Sequence, residues 1–204
     1  MTREENQRNK EWRKSVAAYI KEYAKAFKVK KRSDAVWYDK DGMFYYMYLH
    51  ELGLNNLPHI DITIMAKPLW LDNIYWTIER AFKDWITKSK GVHSDYDWSV
   101  KGLIRKKDTI NAADFSDMET EKMVRTAFEI FDSVPPISEK DFFEAVESGE
   151  YENPIGIIIT AIRYRDYLTA RRLAQEKIDA KALSTFYQRA IDFLDFGDLN
   201  QIYN

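Results

Sequence analysis

Cysteine is absent from this 204-residue chain, which removes disulfides, thiolate metal ligands and a thiol nucleophile together. Glycine is scarce at seven residues, leaving little material for loops that wrap phosphates. The sequence contains no Walker loop, dinucleotide-binding glycine fingerprint, His-Glu-x-x-His pair or Gly-x-Ser-x-Gly elbow. The common nucleotide-dependent, zinc-protease and serine-hydrolase readings therefore have no support. The most apolar run, Pro154 to Ile162, is far shorter than the ~20 residues that span a bilayer. The N-terminus, Met1 to Lys14, is charged along its length and lacks the apolar core of a secretory signal. These features predict a soluble, cytoplasmic protein with no membrane partner.

A hydrophobic fraction of 45% beside 31% charged residues is ordinary for a folded protein, and 204 residues can bury a substantial core. The net charge of −2 conceals a split. Residues 1–110 hold 21 Lys and Arg against 15 Asp and Glu, whereas residues 111–204 hold 10 against 18. All six tryptophans fall in the first part. Two regions are expected, a basic, Trp-rich 1–110 and an acidic 111–204, packed as one globular unit.

Between residues 4 and 27, Trp12, Val16, Tyr19, Ile20, Tyr23 and Phe27 recur at three- and four-residue steps, the stripe of an amphipathic helix. The period then changes. Strands are expected at 34–39 and 43–52, joined at Asp41-Gly42, where glycine suits a tight hairpin, and again at 58–67. Leu71, Ile74, Ile78, Phe82 and Trp85 predict a helix over 73–88 with Asp72 as its cap; a strand through the same segment competes. Residues 98–107 suggest a further strand. From residue 116 onward the signals are helical: a Ser116/Glu119 capping box, a short helix from Ser138, a long one over 154–175 opened by Asn153-Pro154, and a last one over 181–196.

Side chains alternate along a strand, so His59, Asp61, Thr63, Met65 and Lys67 share one face of 58–67 and the isoleucines share the other. An aspartate near a histidine can fix its tautomer or join it at a metal. His50, on the preceding strand, adds a third group if the register brings it to the same face. The competing reading is a polar strand surface, which any His-x-Asp spacing would serve. Phe44, Tyr46 and Tyr48 alternate with Met43, Tyr45 and Met47, so both faces of that strand are apolar, and burial inside the chain or coverage by a partner is required. The basic clusters Lys28–Arg32 and Arg105–Lys107 suit phosphates, but no nucleic-acid-binding motif accompanies them. Arg163 and Arg165, in the acidic half, can grip an anion or pair with neighbouring carboxylates.

The leading helix, the stretch from Phe27 to Leu49, and His59 to Asp72 together resemble small bacterial proteins classed as domains of unknown function, in which a helix packs on an antiparallel meander. The resemblance covers about residues 10–80 and implies a fold without an activity. The expected class is α+β: an N-terminal helix on a three- to four-stranded antiparallel sheet, then a helical C-terminal half. The expected function is a non-enzymatic bacterial protein-interaction or accessory protein, of which immunity proteins are an analogy, with Tyr46, Tyr48, Arg163 and Arg165 as candidate binding residues. The alternative is a metal-dependent or acid–base enzyme using His59, Asp61 and His50. Nucleic-acid binding is the third reading, and no resident cofactor or metal is expected.

Overall fold

In the computed structural model the described residues are 2–32, 34–52, 57–81 and 100–203, with backbone alone for 51 and 52. The fold is α+β. An N-terminal helix, α1 (Arg3–Ala26), precedes the strands β1 (Lys30–Arg32), β2 (Ala35–Lys40), β3 (Met43–Leu52) and β4 (His59–Pro68). After α2 (Leu69–Ala81) and β5 (Leu103–Asn111) the chain is helical: α3 (Asp117–Ser133), α4 (Glu139–Glu147), α5 (Pro154–Arg163), α6 (Tyr167–Asp179), α7 (Phe186–Phe196) and α8 (Asn200–Tyr203). The strands form one antiparallel sheet in the order β1-β2-β3-β4-β5. Among the described residues no helix is long and apolar enough to cross a membrane.

The chain divides into two compact units that alternate along the sequence. One holds Met1–Ala66 and Ile104–Ile137, the other Lys67–Leu103 and Ser138–Asn204. The compositional boundary expected near residue 110 falls inside the first unit.

In the first unit, helix and sheet form for the reasons the periodicity gave. Thr2 and Glu5 close a capping box at the start of α1, and Trp12, Val16, Ile20 and Ala24 make its buried stripe. Gly42 takes φ +77° at the β2–β3 hairpin, a conformation that costs glycine little. The register pairs Val36 with Met47 and Tyr38 with Tyr45, which puts these four residues on one face. That face meets the C-terminal end of α3: the Tyr38 ring lies 5.5 Å from Phe131, and the Tyr45 hydroxyl donates to the Ile137 carbonyl at 2.7 Å. The helices α1 and α3 are tied by Tyr23 and Phe27 against Phe128 and by the Tyr19 hydroxyl donating to Asp117.

In the second unit the core is helical. Trp70 packs edge-on against Phe142, Phe142 against Tyr151, and Tyr75 stacks on Phe186 at 5.2 Å. The Glu79 carboxylate, on α2, pairs with Arg189 on α7. Tyr203, on α8, donates its hydroxyl to the Ile162 carbonyl at 2.7 Å.

Several expectations need correction. The sheet has five strands; β1, a three-residue Lys-Lys-Arg strand, was not anticipated, and β5 runs later than 98–107. Helix α2 begins at Leu69, so Asp72 lies in its first turn and is no cap. The single helix over 154–175 is two, because Arg165 turns into the left-handed region at φ +64° and Asp166 recaps the chain for α6. The helix expected over 181–196 starts at Phe186, and a short α8 follows it. Ser116 does accept from the Glu119 amide, but the Glu119 carboxylate bonds the Ala113 amide, so the box is only half made. The expected helical residues Phe82 to Lys88, the loop at 89–97 and Trp98 lie outside the described residues.

Candidate functional site

The candidate site lies on the second face of the sheet. On β3, Phe44, Tyr46, Tyr48 and His50 succeed one another at two-residue steps, the spacing that keeps side chains on one face. Their rings form a ladder: 5.3 Å from Phe44 to Tyr46, 5.6 Å from Tyr46 to Tyr48, and 6.3 Å from Tyr48 to a nearly parallel His50. The ladder climbs out of the protein. Phe44 and Tyr46 are buried at 0% and 2% exposure, Tyr48 is half-buried and His50 is exposed.

Strand β4 shows the same gradient. Ile60, Ile62, Ile64 and Ala66 are all buried, whereas on the alternate face Lys67 and Met65 are buried and Thr63, Asp61 and His59 are half-open. Because β3 and β4 are antiparallel neighbours joined through residues 53–58, His50 and His59 both belong to the sheet end beside that connection. Each strand thus carries its more open groups toward that end: Tyr48 and His50 on β3, and His59, Asp61 and Thr63 on β4.

Asp61 accepts a 2.6 Å hydrogen bond from the Thr109 hydroxyl on β5, and among the described residues the His59 ring makes a long 3.4 Å contact through Nδ1 with the Leu57 carbonyl. His50 meets Tyr48 through its ring face. Among the described residues no group of three His, Asp or Glu side chains stands ready for a metal. What the arrangement offers is a mixed surface: aromatic faces, imidazoles, one carboxylate and two threonine hydroxyls.

The other candidate binding residues belong to the second unit. Arg163 places its guanidinium 5.8 Å from the Trp70 ring centre, and Arg165 lies 4.7 Å over Tyr203. Their neighbours Arg171 and Arg172 pair with Asp195 and Glu176. All four arginines thus serve contacts within the fold.

A buried network in the second unit escaped the sequence reading. Lys67 and Asp72 form an ion pair with no side-chain exposure on either partner. Lys67 also donates to the Val100 carbonyl at 2.7 Å, and the Val100 amide donates to Asp72 Oδ1 at 3.3 Å. Burial pushes the Asp72 carboxyl above the ordinary carboxylate value, while Lys67 and the Val100 amide pull it back. The three groups close on one another and expose no reactive atom, so the network joins the end of β4, the first turn of α2 and the approach to β5. Its one sequence signal is a Lys and an Asp flanking the strand–helix junction at Pro68.

The basic clusters find a structural place as well. Lys30–Arg32 is β1 and Arg105–Lys107 lies in β5, the two ends of the strand order. Charge on such edges repels the edges of other sheets. Comparison of this chain with family models, with curated proteins and with solved structures gave no match.

Proposed function

We propose that this chain is a non-enzymatic protein-interaction protein and that the open end of the sheet face is its contact surface. The observation that supports this reading is the Phe44–Tyr46–Tyr48–His50 ladder, anchored in the core at one end and presented to solvent at the other. A ring already held by its neighbours loses little freedom on binding, which suits aromatic residues to the energetic centre of an interface. The half-open Thr63, Asp61 and His59 supply hydrogen-bonding groups on the neighbouring strand β4. In the acid–base alternative, Asp61 is already engaged by the Thr109 hydroxyl.

The test is partner capture from a lysate of the source organism, with the wild-type chain and a Tyr48→Ala/His50→Ala variant as paired baits. The expected result is a partner retained by the wild type and lost by the variant at unchanged folding. A hydrolase or transferase activity that vanishes in His59→Ala would overturn the reading.

A further inference from the structure

The strand order leaves β5 with a neighbour on one side only among the described strands. Its backbone sidedness follows from two hydrogen bonds. The Ala112 amide, one residue past the strand, points to the Pro58 carbonyl at the start of β4. The Thr109 amide instead takes its own neighbour's carboxylate, Asp108 Oδ1, at 3.0 Å. Backbone groups alternate in direction along a strand, so the even-numbered residues face β4 and Arg105, Lys107, Thr109 and Asn111 direct their amides and carbonyls outward.

No other described strand pairs with this outer edge, which carries three cations and one carboxylate, Asp108. Residues 106–109 are all exposed. Arg105 and Lys107 stand on one face of the strand, while on the other Lys106 lies 3.7 Å from the Asp108 carboxylate. The Arg105 Nε is shielded from solvent and has no hydrogen-bond partner among the described residues. At the other end of the sheet, β1 has only three residues, too few to template a long pairing.

We propose that the outer edge of β5 between Ile104 and Asn111 docks an extended acidic segment of a partner protein, which adds to the sheet as a further strand. The outward amides and carbonyls supply main-chain hydrogen bonds, and Arg105 and Lys107 select glutamate or aspartate on their face of the incoming strand. In a pairing of two copies centred on Lys107, the two Lys107 side chains would stand opposite each other. This inference rests on the protein-interaction reading and names the kind of partner for the same sheet.

The probe is a capped octapeptide alternating glutamate with valine and threonine, titrated at low salt into the isotopically labelled full chain and followed by amide resonances. The expected result is shift and slowed exchange at Lys107 and Thr109, with no response to the lysine-for-glutamate counterpart. Lys107→Pro removes one outward amide without touching the β4 ladder and should weaken binding tenfold or more. A Lys106→Glu/Lys107→Glu variant keeps the backbone donors and should reverse the preference toward the lysine peptide. Unshifted amides across Ile104–Asn111, or wild-type binding by Lys107→Pro, would overturn the proposal. If the peptide fails while partner capture still depends on Tyr48 and His50, the edge alone is refuted; if both fail, the interaction reading goes with it.

Discussion

Lys67 Nζ faces the Asp72 carboxylate at a point where neither side chain meets solvent, and the backbone of Val100 completes both. A buried pair of this kind contributes little net stability compared with apolar residues of the same shape, yet breaking it strands a charge in a medium that cannot solvate it.

Removing one partner should therefore be severe. Lys67→Ala or Asp72→Ala is expected to cost about 3–5 kcal/mol in urea unfolding, whereas the Lys67→Met/Asp72→Leu double variant should be milder than the sum of its singles. Additive losses in that cycle would show that the pair does not act as a unit.

Alkaline pH should loosen the fold. The hydrogen bond to Asp117 raises the Tyr19 hydroxyl from 10.0 to about 12, and burial beside Glu79 does the same for Tyr75. A raised folded pKa means the folded state holds its proton more tightly than the unfolded chain. The stabilisation is complete below pH 10 and is lost as pH climbs toward 12. Thermal midpoints across this window, with Tyr19→Phe and Tyr75→Phe for comparison, measure it; midpoints in the wild type independent of pH there would contradict it.

Gly156 has no room for a side chain. A Cβ at that position would lie 2.0 Å from the Tyr151 hydroxyl oxygen, which is itself committed to the Lys101 carbonyl at 2.6 Å. Gly156→Ala should destabilise by about 1–3 kcal/mol despite alanine's higher helix propensity. A stabilised variant in denaturant titration would mean that Tyr151 yields freely.

Lys181 offers the opposite case. It ends α6 at φ +56°, with its amide on the Ile178 carbonyl and the next amide on Lys177, a left-handed helix stop occupied by a residue with a Cβ. Lys181→Gly should raise stability by about 0.5–1 kcal/mol, read as a higher urea midpoint.

The parts of the fold that the sequence revealed are those with strong periodicity. The α1 stripe, the Asp41-Gly42 hairpin and the isoleucine face of β4 each repeat one physical signal several times. What stayed hidden depended on tertiary placement. Lys30–Arg32 has no strand propensity of its own and pairs because Ala35 to Trp37 lies alongside. The break between α5 and α6 rests on one left-handed residue, Arg165, although the Asp166 cap that follows was a readable cue. For the candidate site, alternation correctly grouped His59 with Asp61 but could not show that Asp61 would turn to Thr109, a residue 48 positions away.

The alternation of the two units along the chain bears on how the protein is made. Residues 1–66 are made before the Ile104–Ile137 stretch they belong with, and residues 67–103 before most of the unit they join. Neither unit is a contiguous stretch that a ribosome can release and leave to fold alone. The first unit lacks β5 and α3 until residue 137 has been synthesised, an interval in which charge on the β1 edge works against pairing with other chains.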